Sequence, residues 1–266
     1  MKVLKKGSIS EEVKILQRAL KMTLVDGNFG AKTEAAVKDF QKSKKLVVDG
    51  IVGNKTWEAL GIKDTKGVDS SVVYSPLDVH ISKSTNRAIS YIVIHYTAGI
   101  TSQKGTALSI KNIFQKNSAS ADFCVDDETM VQFNPDIKNY YCWAVGGSKY
   151  KYTKGGSKYG KATNKNTISI EMCSNLKKEA SFLMANHEGW YFTEKTINQC
   201  AKLTKILMKK FNISAERVIR HYDVTGKLCP GVIGWNDEII YTTEGKPTKT
   251  YNDSSKWLEF KKLLQE

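Results

Sequence analysis

Twelve residues recur in this chain in closely related form. Residues 26–37 read DGNFGAKTEAAV and residues 49–60 read DGIVGNKTWEAL, six identities in twelve at a spacing of 23. In each copy Asp-Gly marks a turn, and the second glycine, Gly30 or Gly53, permits a left-handed or crowded backbone. A helix then begins with Thr33 or Thr56 in its first turn. Upstream, Ser10 stands in capping position ahead of Val13, Leu16 and Leu20, which recur at i, i+3 and i+7. The pattern predicts a small three-helix unit, with Val37, Phe40, Trp57 and Leu60 closing its core.

The chain has 266 residues, room for that unit and a larger one. With 41% apolar and 26% charged residues, 19 Gly and 4 Pro, it is neither collagen-like nor wholly disordered. Residues 63–86 are rich in Ser, Thr, Asp and Lys without sustained periodicity, so they read as a linker between units at 1–62 and 87–266. The net charge of +14 favours an anionic partner: nucleic acid, anionic lipid or an acidic wall polymer. No run approaches the roughly 18 apolar residues of a spanning helix. The first twenty residues also lack the unbroken apolar stretch of a secretory signal. Cytoplasmic synthesis without a signal peptide and no membrane insertion are therefore expected. The five cysteines are odd in number and scattered, which argues against a disulfide framework. Cys124, Cys142, Cys173 and Cys200 read as buried thiols.

The larger unit carries residues suited to chemistry. Residues 91–99, YIVIHYTAG, form a β-branched and aromatic run ending near His95. Residues 217–231, RVIRHYDVTGKLCPG, place Val218 and Ile219 in a short strand, His221 at its end and Cys229 eight positions on. Two strand-end imidazoles and a thiolate suit zinc, and three protein ligands leave a fourth position for water. Their charges leave +1 at the metal, which acidifies a bound water and polarises a carbonyl, the chemistry of a hydrolase. Spacing alone leaves open that each histidine is a packed structural residue.

Other periodicities predict a mixed α/β domain. Residues 121–133 read as a hairpin around Asp126, Asp127 and Glu128, and Thr193 as the cap of a helix reaching Phe211. A last helix is expected near Lys256 to Leu264, with Trp257 and Phe260 packing inward. Strands near 91–95, 121–133, 167–172 and 218–221 would share one central sheet, bringing His95, Glu171 and His221 to one rim. Residues 147–166 hold six Lys, three Tyr and no acid, the composition of a mobile loop. The loop is open either to contacts with anionic wall material or to solvent alone. His80 falls in the linker and His187 in an exposed loop.

LQRAL, followed by DGNFGAKTEAAVKDFQ and DGIVGNKTWEALG within residues 7–62, resembles the peptidoglycan-binding domain of wall hydrolases. Residues 87–235 resemble the zinc-dependent N-acetylmuramoyl-L-alanine amidases of the second type. The resemblance rests on YIVIHYTAG, SASADFCVDDETMVQF, WAVGG, NTISIEM and RHYDVTGKLCPG in that order. It implies a central sheet flanked by helices, zinc held by His95, His221 and Cys229, and Glu171 as general base and later acid. Lys227 would face the developing oxyanion. The implied reaction is cleavage of the amide between N-acetylmuramic acid and the first L-alanine of the stem peptide. The implied partner is bacterial peptidoglycan, and no nucleic-acid module signature is present. A phage or prophage endolysin that reaches the wall through a separate pore or by lysis, or a non-classically released bacterial autolysin, would fit.

The chain departs from relatives at Ala121-Asp122 and at Ala144, where many carry a histidine, so no role of those side chains transfers. Asp122 is expected on a strand surface. The alternative function is a non-catalytic peptidoglycan recognition protein, against which Cys229 argues. A glycosidase needs two carboxylates flanking the bond, and the motifs offer only Glu171.

Overall fold

Ser10 is extended at φ −171° and ψ 170°, and its Oγ accepts a hydrogen bond from Val13 N–H at 3.4 Å, which starts α1 (Glu11–Ala19). The repeats supply α2 (Ala31–Ser43) and α3 (Asn54–Ala59). These belong to the first of two units, Met1–Ser70 and Ser71–Glu266. The computed structural model describes residues 3–60, 68–69, 71–99, 101–150, 155–177, 189–243 and 246–265.

In the first unit Leu4, Val13, Leu16, Phe29, Val37, Val52 and Trp57 are buried together, with Leu20 and Leu60 at the margin. Phe40 is half-buried outside that cluster, under the Lys44 ammonium at 5.9 Å from its ring centre. The second aromatic of the core is instead Phe29, from the turn of the first repeat.

The repeat's glycines divide their work differently from the expectation. Gly27 and Gly50, directly after the aspartates, are left-handed at φ +77° and +72°. Gly30 and Gly53 have ordinary φ of −84° and −95° and sit uncrowded at the helix N-caps. Each turn is clasped by a buried glutamine. Gln17 Nε2 donates to Asp26 Oδ1, Asn28 O and Thr33 Oγ1, while its Oε1 accepts from Gly27 N–H at 2.9 Å. Gln41 does the same with Asp49, Ile51, Thr56 and Gly50. A buried amide whose groups are all used costs little and fixes the loop.

The second unit runs β1 (Val72–Tyr74), β2 (Ile81–Lys83), β3 (Tyr91–Tyr96), α4 (Thr106–Lys116), β4 (Phe123–Val125), β5 (Met130–Gln132), β6 (Tyr140–Cys142) and β7 (Thr167–Met172). It continues through β8 (Asn175–Leu176), β9 (Trp190–Tyr191), α5 (Glu194–Phe211), β10 (Val218–Arg220), α6 (His221–Thr225), β11 (Asn236–Thr243), β12 (Lys246–Asp253) and α7 (Ser255–Leu263). One sheet has the order β1-β5-β4-β7-β3-β10, parallel except for the β4–β5 hairpin. Pairs β2–β6, β8–β9 and β11–β12 stand apart from it. Helix α4 packs on β4 and β5, and α5 on β4, β5 and β7. Thr193 caps α5 through its Oγ1, as expected. Trp257 and Phe260 of α7 are buried against Trp235.

The segment read as linker is partly structured: β1 joins the main sheet and β2 pairs with β6, while residues 61–67 lie outside the described set. Composition concealed these strands because each is only three residues long. No described helix is long and apolar enough to cross a membrane. Because β7, β3 and β10 are neighbours and parallel, their C-terminal ends open onto one rim, where strand-end side chains meet.

Candidate metal centre and its carboxylate

His95 is the fifth residue of β3 and pairs in register with Glu171, the fifth of β7. His221 opens α6 directly after β10, whose Arg220 stands beside Ile94 of β3. Gly226, left-handed at φ +78°, ends α6 and turns the chain back. Tyr222 N–H then donates to Cys229 O at 3.0 Å, and the Cys229–Pro230 peptide is cis. One potential ligand atom each from His95, His221 and Cys229 lies within 4.8 Å of the others, and all three residues are buried. The two imidazole rings meet edge to face at 4.7 Å.

This donor set fits zinc. Cys229 Sγ lies 3.6 Å from His95 Nδ1. Tetrahedral ligands at the usual Zn–N and Zn–S distances of about 2.0–2.1 and 2.3 Å stand roughly 3.5 Å apart. His221 Nε2 donates to Val145 O at 3.0 Å, which leaves Nδ1 with its lone pair, and Nδ1 is buried with no partner among the described residues. An unpartnered buried acceptor beside a thiol and a second imidazole is what a cation would satisfy.

Electrostatics point the same way. Burial, reinforced by His221 and Lys227, holds His95 well below the usual histidine range. Burial and Lys227 push His221 down to about 3 against the pull of the Val145 carbonyl. Both imidazoles are therefore neutral near pH 7, the form that ligates. Burial, with Glu171 adding to it, pushes the Cys229 thiol up to about 12, so its thiolate needs a cation beside it.

Glu171 is half-buried, but its Oε2 is shut off from solvent and has no partner among the described residues. Burial raises its carboxyl to about 8, with Lys227 opposing the rise. Lys227 is exposed on the loop between α6 and Cys229, outside the buried cluster. Its charge is felt by His95, Glu171, His221 and Cys229 alike.

Asp122 is buried rather than on a strand surface. It accepts from Ser169 N–H at 2.8 Å and from Asn134, and faces Arg87 at 3.9 Å. A short polar side chain beside a hairpin gives no sequence sign of such partners. His80 donates from Nδ1 to Phe114 O at 2.7 Å and packs on Trp143. His187 lies outside the described residues. All five cysteines are free and buried, and Cys124 and Cys173 are 3.6 Å apart at sulfur.

The basic segment is tied down where it is described: Tyr150, Gly156 and Lys158 N–H groups donate to Thr225, Val224 and Asp223 carbonyls of α6. Residues 151–154 lie outside the description. Sequence reading missed Arg87, Asn164 and the Val145 carbonyl, which act through backbone groups and leave no spacing signature.

Residues 85–232, more than half of the chain, match the N-acetylmuramoyl-L-alanine amidase family model. The chain belongs to that family. Residues 10–60 match a peptidoglycan binding domain model. Among curated relatives, this amidase-family chain is 29% identical over 150 residues to a probable N-acetylmuramoyl-L-alanine amidase of Bacillus licheniformis, covering 54% of this chain and 36% of that one. It is 30% identical over 170 residues to N-acetylmuramoyl-L-alanine amidase CwlH of Bacillus subtilis (strain 168), covering 61% and 57%. The chain thus spans between about a third and somewhat over half of the curated relatives it matches. Among solved structures, the catalytic domain of XlyA aligns at 22% identity over 73% of this chain and 98% of that one, with a TM-score of 0.45.

Proposed function

We propose that this chain is a zinc-dependent peptidoglycan hydrolase that cleaves the amide between N-acetylmuramic acid and the first L-alanine of the stem peptide. The observation that carries the reading is the buried convergence of His95, His221 and Cys229 together with the Glu171 carboxyl, whose buried Oε2 has no partner among the described residues. The bond's identity is supported by membership of the amidase family.

His95, His221 and Cys229 would hold the zinc. Bound there, it would supply a Lewis acid that polarises the scissile carbonyl and acidifies a water. Glu171 accepts the proton of the attacking water and returns it to the leaving nitrogen. Burial raises its proton affinity in the metal-free chain, and Lys227 together with a bound cation would oppose that rise and favour the carboxylate that accepts the proton. Lys227 places fixed positive charge near the site where the amide oxygen becomes negative. The burial of the ligands excludes bulk water, which strengthens these interactions.

Residues 1–62 act as the wall-binding unit, supported by the match over residues 10–60. The catalytic unit includes β1, so its sheet begins at Val72. Peptidoglycan is then partner and substrate, and the enzyme works on the wall as a phage or bacterial lytic protein.

Purified wall digested by the zinc-loaded protein should yield new amino termini and no new reducing sugars. Reducing ends would make it a glycosidase, and neither product would make it a binder.

A further inference from the structure

His221 can ligate through Nδ1 only while its other nitrogen carries the hydrogen. The Val145 carbonyl enforces this, since it accepts from Nε2 at 3.0 Å. Yet Val145 lies beyond the end of β6 and has no strand partner to hold its carbonyl in place.

Asn164 supplies the missing support. Its Oδ1 accepts from two successive N–H groups, Ala144 at 3.1 Å and Val145 at 2.8 Å. Asn164 is itself held through its main chain, because its carbonyl accepts from Arg87 Nη2 at 3.1 Å. The buried Arg87 guanidinium spends its five donors on backbone carbonyls. Nε bonds Lys165, Nη1 bonds Ile137 and Tyr140, and Nη2 bonds Asn164 and Thr167. The segment entering β6 and the one entering β7 are thereby tied to one rigid group.

We infer that Asn164 is a positioning residue for the metal centre, fixing the Val145 carbonyl that holds His221 in its Nε2–H form and turns Nδ1 toward the ion. This inference rests on the zinc reading above. The site demands one oxygen able to accept two adjacent N–H groups, which Asn and Asp offer and an aliphatic residue of similar size does not.

The test compares Asn164→Leu and Asn164→Asp with the parent chain. Zinc affinity is measured by chelator competition, and the His221 ring tautomer by nitrogen NMR of the metal-free protein. Asn164→Leu should weaken zinc binding roughly 10–100-fold, the usual loss when an outer-shell contact to a ligand is removed. It should also mix the two His221 tautomers. Asn164→Asp, which keeps the double acceptor, should restore both to within a few-fold. Parental affinity with an unmixed tautomer in Asn164→Leu overturns the inference, as does an equal loss in both variants. If Asn164→Leu does not fold, the parent decides: a metal-free His221 carrying its hydrogen on Nδ1 overturns the inference. A parent that binds no zinc but shows Nε2–H at His221 would sink the zinc reading and leave the positioning contact standing.

Discussion

His95 and Glu171 stand directly opposite one another on neighbouring parallel strands, so a potential metal ligand and the carboxyl that would serve it share one rung of the sheet. This fixes their separation through backbone hydrogen bonds rather than through loops. It also buries Glu171 Oε2 with no partner among the described residues, and burial raises its proton affinity.

That burial has a measurable consequence in the metal-free protein. The folded-state pKa of Glu171 is about 8 against an ordinary 4.5. The folded chain therefore holds a proton that the unfolded chain releases, and stability falls as pH rises from 4.5 to 8. Glu171→Gln cannot ionise. Its chemical-denaturation stability should match the parent near pH 4 and exceed it at pH 9 by on the order of a few kcal/mol. Parallel stability curves for the two proteins would show that Glu171 is solvated.

Lys227 opposes the rise at Glu171 and lies on the loop that presents Cys229. Lys227→Ala should lower kcat by roughly 10²-fold or more, as loss of an oxyanion partner does, with zinc content unchanged. It should also move the Glu171-dependent limb of the pH–rate profile to higher pH, since the cation no longer favours the carboxylate. Parental turnover in that variant would remove Lys227 from the mechanism.

Cys229 contributes one of three potential ligands, and its thiol is held protonated unless a cation is near. Cys229→Ala should lose more zinc affinity than the roughly 10–100-fold expected for an outer-shell contact. Metal analysis after dialysis against a chelator is the check. Zinc retained at parental stoichiometry would place the metal elsewhere.

The convergence of His95 and His221 was legible because both stand at the ends of β-branched runs, and a strand end is a place where a side chain can leave the sheet toward a cleft. The helical unit was legible because its repeat doubles every turn signal. Gln17 and Gln41 could have been found, since each precedes its Asp-Gly pair by a similar distance. Arg87, Asn164 and Asp122 could not: they bond backbone groups 19 to 80 residues away, Asp122 adding the Asn134 and Arg87 side chains, and nothing in local composition marks them. Phe40 misled because an amphipathic pattern gives the face of a helix but not how deeply each position is covered.

The backbone of Gly156 lies against the carbonyl of Asp223, and a Cβ there would collide with it. Gly156 N–H also donates to Val224 O at 3.1 Å, so the basic segment rests on α6, the helix that begins with His221. Any side chain must push the two apart, and the collision is with backbone rather than a movable side-chain tip. Gly156→Ala should therefore displace the segment and destabilise the catalytic unit by about 1–3 kcal/mol, the usual cost of overpacking. Hydrogen exchange should quicken at the amides of Tyr150, Gly156 and Lys158, which α6 carbonyls protect. Because α6 begins with His221, a proposed ligand, zinc affinity should fall with them. Unchanged exchange at those three amides would mean that the segment does not lean on α6 in solution.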